Sequence, residues 1–439
     1  MPVNGRLLRF WGCLPSGVHA LLAPGVWGGV RALIFTSTDF LFVFLPVVWL
    51  IYLLLAQLKA ATATKVQLVL ASVLFYVSWN ASYLPILLGS VVFNYFLARM
   101  MMARGEKWML WLGIVANLSL LGVYKYADFT IGTLDTLFGA DIPFVNIALP
   151  LAISFYTFQQ IAYLVDTWEG KIERITFFDY LLFVCFFPQF IAGPIVHHSE
   201  MMPQFTSGNF LKVNRRNLAA GLAFFAIGFL KKTMLADPLA GVANEVFARE
   251  AGFPLSMPEA WFGAIAYTLQ IYFDFSGYSD MAVGLGRLFG INLPYNFNSP
   301  YKSASIIDFW RRWHMTLSRF LRDYLYFPLG GNRKGVVRRY LNLMIVMLLG
   351  GLWHGAAWTF VVWGGLHGLY LMLNHGWIEW VESRIAIPAP LKHVGGVAIT
   401  FLMVAVAWVF FRAPTFDRAF EVLRPMFGMT SKPGSLYEG

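Results

Sequence analysis

Residues 305–335 read SIIDFWRRWHMTLSRFLRDYLYFPLGGNRKG, and after an apolar run residues 350–375 read GGLWHGAAWTFVVWGGLHGLYLMLNH. The first stretch is crowded with arginine and tryptophan around His314. The second is fit for lipid, yet keeps His354 and His367. Ionisable groups are costly in apolar surroundings and persist there when they pair, line a wet cavity or react. The rest of the chain has the same character: 58% hydrophobic and 13% charged, with a mean hydropathy of +0.61. A soluble domain is roughly one quarter charged. Several uncharged runs approach the about 20 residues that a helix needs to cross hydrocarbon, and no region alternates with the period-two pattern of a barrel strand. The sequence therefore predicts an all-α, polytopic membrane helical bundle of about ten to twelve transmembrane or re-entrant helices.

The formal net charge of +10 reports on loop orientation in such a protein, so a nucleic-acid partner is not expected. Cys13 and Cys185 match no metal or redox spacing. The chain has no P-loop, dinucleotide fingerprint, zinc-ligand set or GxSxG elbow. Residues 1–32, broken by Pro15 and Pro24, are expected to be a leader appended to the membrane domain, and residues 429–439 a C-terminal loop that stops short. The first clear span is Phe40–Leu58. Val66–Trp79, Tyr83–Leu97 and Trp108–Tyr124 follow. The next apolar run, residues 149–168, is dotted with Ser154, Tyr156, Gln159, Gln160 and Asp166, which must pair with neighbours or face water. Tyr180–Ile191, Leu218–Leu230 ending at Lys231–Lys232, Trp261–Met281 and Val394–Phe411 complete the reading.

On one helix covering Asp308–Leu325, Arg311, His314, Ser318 and Arg322 align along one side, with Arg312, Arg319 and Asp323 widening it. Trp310, Trp313, Leu317, Phe320 and Tyr324 lie on another. The pattern fits an interfacial anchor. The alternative to this plainer reading is an arginine wall, with Arg311, Arg312 and Arg322 drawing an anionic donor toward His314. His354, set among glycines that allow close approach, has an imidazole able to take a proton from a hydroxyl, as acyl transfer to an alcohol requires. The competing role is a structural hydrogen bond to a neighbouring helix. His367, if on the same straight helix, lies about 220° round and roughly 20 Å along from His354, which separates the two unless the helix breaks at Gly364–Gly365. In YFDFSGYSDMA, Asp274, Ser276 and Tyr278 are candidates for a polar cavity, an inter-helix hydrogen-bond knot being the plainer reading.

FWRRWHMTLSRFLRDYLYFPLGGNR with LLGGLWHGAAWTFVVWGGLHG resembles the signature region of the membrane-bound O-acyltransferase family, and within it the membrane subunit of bacterial alginate O-acetylation. IFTSTDFLFVFLP, LPLAISFYTFQ, FPQFIAGPI, YFDFSGYSDMAVGLG and NFNSPY extend the likeness, so that residues 33–428 form one family-type membrane domain. The resemblance implies a funnel-shaped bundle, with His354 matching the histidine of the WHG motif and His314 that of the RRWH motif. It also implies an acetyl thioester, from acetyl-coenzyme A or an acyl carrier, as a substrate without any bound cofactor or metal. Trp313 and Trp353, beside the two histidines, join Arg311, Arg312, Ser318 and Arg322 as candidate donor- or acceptor-binding residues. In the alginate type, acetyl crosses the bacterial inner membrane toward periplasmic acetyltransferase partners. Polysaccharide synthesis and export machinery and membrane lipids are the further partners expected. His197–His198 stands where relatives commonly carry a basic residue. Transfer of another acyl group, such as D-alanyl onto teichoic acid, and a polymer or lipid transporter with a His/Asp proton relay are the alternatives.

Overall fold

The computed structural model describes residues 32–172, 176–249, 254–385 and 388–429. The expected leader and C-terminal loop therefore lie outside the described residues, apart from residues 32 and 429. The regular elements of the described chain are all helices, with no strand among the described residues. Its α-helices are α1 Leu45–Gln57, α2 Ala61–Val77, α3 Leu84–Arg104, α4 Lys107–Leu121, α5 Ala127–Phe138, α6 Ile153–Trp168, α7 Phe177–Cys185, α8 Phe187–Phe190 and α9 His198–Thr206. Then come α10 Arg215–Leu230, α11 Asp237–Phe247, α12 Met257–Leu288, α13 Ile306–Arg312, α14 Met315–Leu321, α15 Val336–His354, α16 Trp358–Trp377, α17 Ala389–Arg412 and α18 Phe416–Met426. Among the described residues six runs are long and apolar enough to cross a membrane: Phe40–Gln57, Ala81–Arg104, Lys107–Phe138, Arg215–Phe247, Val336–His354 and Ala389–Arg412. Large apolar side chains such as Phe42, Val337 and Val394 face outward on them, as a lipid-facing surface requires. The protein is a multi-pass membrane protein.

Two of the spans expected from the sequence are corrected by the structure. The span expected to end at Lys231–Lys232 continues through a π-helical turn, Lys231–Ala236, into α11, because Lys232 is paired inside the protein. The run expected over Tyr180–Ile191 breaks at Phe186, whose ψ of 109° leaves the helical region. Pro188, two residues on, is accommodated in the first turn of α8.

By contacts the described chain forms two compact units, one of residues 32–229 with 277–295 and the other of 230–276 with 296–429. In the first unit Ser154 and Gln160 of α6 pair with neighbouring elements, as their burial demands, whereas the Tyr156 hydroxyl is buried without a hydrogen-bond partner. Gln160 Nε2 donates to Ser90 Oγ at 3.0 Å, Tyr180 Oη donates to Gln160 Oε1 at 3.3 Å, and Lys125 Nζ donates to Ser154 Oγ at 3.2 Å. Asn94 and Asn117 exchange carboxamide bonds between α3 and α4. Such inter-helix bonds are worth only about 0.6 kcal/mol each, so they fix register more than they hold the bundle. Small residues do the rest: a Cβ at Gly228 would collide with Gly277 O, and one at Gly284 with Gly221 O and Phe225 N, so α10 lies directly on the last turns of α12. Gly277 and Gly284 of YFDFSGYSDMAVGLG thus serve backbone contact. Tyr278, expected at a polar cavity, stacks on Phe35 at 4.7 Å.

His198 is buried against Tyr163 and Phe183, with ring centroids 5.4 and 5.8 Å away. Burial pushes its imidazole down to about 4. The folded protein resists a proton that the unfolded chain accepts near the usual histidine value, so this contribution to stability is complete above about pH 6.5 and is lost as pH falls toward the lowered value. His198→Phe, which keeps the aromatic packing, should lose less melting temperature than the wild type when detergent-solubilised protein is moved from about pH 7.5 to about pH 5.

Candidate active site

The second unit carries the signature stretch, and its core is aromatic. Phe309, Trp313, Trp363, Trp408 and Tyr267 are all at most 2% exposed. Within it the expected single helix over Asp308–Leu325 does not form. α13 ends at Arg312, Trp313 is extended, and His314 adopts a left-handed conformation with φ 41° and ψ 54° before α14 begins. The cause lies in the NFNSPY segment, which runs past the break and takes its backbone groups. Asn298 N donates to Arg312 O at 3.0 Å, and Met315 N donates to Asn296 O at 2.9 Å. A left-handed non-glycine residue costs on the order of 1–3 kcal/mol and persists only where its surroundings over-determine it. Those bonds supply that determination.

The Asn296 side chain completes the corner. Its Oδ1 lies 3.0 Å from His314 Nδ1 and 3.0 Å from Thr316 Oγ1, and it also receives Thr316 N. A carboxamide oxygen only accepts, so Nδ1 of His314 carries the proton. In the neutral ring Nε2 then holds a lone pair. That nitrogen is buried and has no protein hydrogen-bond partner. Phe275 of α12 meets the ring edge-on at 4.7 Å, and the imidazoles of His314 and His354 stand 6.4 Å apart, centroid to centroid. Trp353 lies beside both, 6.2 Å from His314 and 4.9 Å from His354.

His354 is the last residue of α15. The helix stops there, at Gly355, and α16 returns antiparallel from Trp358. A Cβ at Gly355 would enter the Phe360 ring. Gly351 and Gly364 bring the two helices into backbone contact, since a Cβ at Gly351 would strike Phe360 O and one at Gly364 would strike Met347 O. Close packing by small residues is the usual way that helices approach without a hydrophobic driving force. It seats His354 against Trp363 and Phe411, each 5.2 Å away.

The break at Gly355 also revises the place of His367. It stands on α16, not on a continuation of α15, and its ring lies 4.8 Å from the same Trp363 that touches His354. Its Nδ1 accepts Trp310 Nε1–H at 3.3 Å. Gly364 and Gly365 lie inside α16 and do not interrupt it.

The remaining candidates are spread out. Arg311 is exposed. Arg312 pairs with Asp308 at 2.9 Å and Arg322 with its neighbour Asp323 at 2.8 Å. With the helix broken, Arg311, His314, Ser318 and Arg322 do not form one stripe. Ser318 Oγ donates to Trp313 O at 3.3 Å across the break, and Trp313 is core. Ser276 is buried. Asp274 is bound to Lys232 at 2.8 Å. Asn296, Thr316 and Phe275 were not picked out in the sequence as site residues. A polar residue pair that must satisfy a helix break 18 residues away leaves no local signal.

The sequence profile of the membrane-bound O-acyltransferase family matches residues 169–412, which include both histidines and every element around them. The chain belongs to this family and is an O-acyltransferase. It is 46% identical to the peptidoglycan O-acetyltransferase of Helicobacter pylori over 91% of this chain and 81% of that one. It is 42% identical to the probable alginate O-acetylase AlgI of Pseudomonas aeruginosa over 90% and 75%. It is 26% identical to the teichoic acid D-alanyltransferase of Streptococcus thermophilus over 73% and 74%.

Removing the Asn296 carboxamide strips the His314 N–H and both Thr316 donors of their acceptor. Asn296→Ala should cost about 2–3 kcal/mol, read as a lowered melting temperature of the solubilised protein. Thr316→Val, which leaves the Asn296–His314 bond, should cost less.

Proposed function

We propose that the chain transfers acetyl groups from a thioester donor, acetyl-coenzyme A or an acyl carrier, toward hydroxyls of a polysaccharide outside the bacterial inner membrane. The observation that carries this reading is the pair of imidazoles 6.4 Å apart on separate elements, one of them with a buried, unpartnered Nε2. His354 acts as general base, with a transient acyl-carrier role as the alternative. The acceptor hydroxyl passes its proton to the His354 imidazole as its oxygen bonds to the thioester carbonyl carbon. The C–S bond breaks, and the imidazolium returns the proton to the departing thiolate. His314 Nε2 accepts a hydrogen bond from a second hydroxyl of the glycan and so orients the attacking one. The indoles of Trp353 and Trp363 wall the reacting atoms from water, which favours transfer over hydrolysis.

The relatives of higher identity are named for O-acetylation of peptidoglycan and of alginate, and the D-alanyl relative is more distant. This supports acetyl as the group carried and a cell-envelope or exported glycan as its destination. Periplasmic acetyltransferase partners and the glycan's synthesis and export machinery are the proteins that would complete the route. Arg311 and Arg322, already at exposed positions, would meet anionic groups of the donor.

A deletion strain complemented with wild type should regain acetyl ester on its wall or exported polysaccharide. Complementation with His354→Ala, present in the membrane at equal abundance, should leave acetyl content at the deletion level. Acetylation restored by the variant would remove His354 from the chemistry, and polymer lost from the exterior with unchanged acetyl content per residue would favour a transporter.

A further inference from the structure

Lys232 sits in the π-helical turn Lys231–Ala236, in the middle of the apolar run Arg215–Phe247, with its side chain 4% exposed. Its ammonium lies 2.6 Å from Asp237 Oδ1 and 2.8 Å from Asp274 Oδ1. Asp237 opens α11 and is about half exposed, whereas Asp274 is in α12 and only 17% exposed. A π turn is a local widening of the helix that recurs at functional positions. Here it lies where Lys232 meets α12.

Asp274 and Phe275 are neighbours on α12, so their side chains leave the helix about 100° apart. Phe275 supports the His314 ring at 4.7 Å and packs on Phe297 at 5.1 Å. Tyr272, one turn earlier, packs on Phe297 at 5.8 Å and on Trp313 at 6.4 Å. The same helix segment is thus clamped by a charge on one side and cushions the Trp313–His314 break on the other. A change in the rotation of α12 at Asp274 would carry Tyr272 and Phe275 with it, and His314 has no other ring contact as close as Phe275 among the described residues.

We infer that the Lys232–Asp274 ion pair is a positioning device for the acyl-transfer site, setting the rotation of α12 so that Phe275 holds His314 toward His354. Lys232 and Asp274 touch no reacting atom and act through Phe275. The inference rests on the acyltransfer reading above.

The test uses full-length protein in detergent, with acetyl-coenzyme A as probe and acceptor glycan fragments, following acetyl-dependent thiol release. Wild type is set against His354→Ala first: equal rates there would overturn the acyltransfer reading and this inference with it. Breaking the pair singly leaves a buried charge and endangers folding, so the informative variant is Lys232→Met with Asp274→Leu, which replaces the pair by apolar packing. The expected result is a monodisperse protein with near-wild-type melting temperature, kcat lowered at least tenfold and KM within about twofold, since an orientation defect is felt in the transition state. Phe275→Leu should reproduce the kcat defect, and adding it to the paired substitution should lower kcat no further. Wild-type kcat in the paired variant, or a multiplicative loss on adding Phe275→Leu, would overturn the inference. So would a kcat loss that merely follows the fraction of folded protein.

Discussion

The carboxamide oxygen of Asn296 is the constraint on which the geometry of this site depends. It collects the His314 imidazole N–H and both donors of Thr316, while the Asn296 backbone carbonyl takes Met315 N. Without it the stretch FWRRWHMTLSRFL would have every local reason to run as one helix. With it, the helix stops, His314 takes a left-handed conformation, and its ring is held with one nitrogen satisfied and the other buried and available. Inside an apolar bundle that single bond also fixes the tautomer, and with it which kind of hydrogen bond the ring can make to a substrate.

The other half of the site is placed by absence of side chains. Gly351 and Gly364 let α15 and α16 touch at the backbone, and the chain turns at Gly355 immediately after His354. One indole of the surrounding wall is itself tied down: Trp408 Nε1 donates to Tyr301 Oη at 3.2 Å, and Tyr301 Oη donates to Thr268 O at 2.6 Å. The aromatic wall is therefore anchored by polar bonds that run into α12. Charge is treated in the same way. An unpaired lysine at the centre of a span costs about 3 kcal/mol on insertion scales, and Lys232 avoids that cost by holding two carboxylates.

What was legible in the sequence was set by how local its cause is. The all-α membrane bundle could be read from uncharged runs such as Phe40–Leu58, because lipid acts on each segment separately. His354 could be singled out because an imidazole is out of place among such residues, whereas His314 stood on an arginine-rich stripe and was marked by the resemblance of its RRWH motif. The break at His314 could not be read, since neither glycine nor proline marks it and its cause lies in Asn296. One straight helix through both His354 and His367 is the expectation, with Gly364–Gly365 as the place it could part; Gly364 serves packing and the break falls earlier, at Gly355. This brings His367 into the ring cluster from which a straight helix would have excluded it. Lys231–Lys232 looked like the end of a span because paired lysines usually mark an interface. Asp274, 42 positions along, keeps one of them inside.

The proposed chemistry turns on His354 as the base that drives thiol release, and chemical rescue tests that most directly. His354→Gly, purified in detergent with acetyl-coenzyme A and acceptor glycan, should release thiol at background rate, and added imidazole should restore release in a concentration-dependent way while leaving the wild type unchanged. Release by His354→Gly at the wild-type rate without imidazole would contradict it.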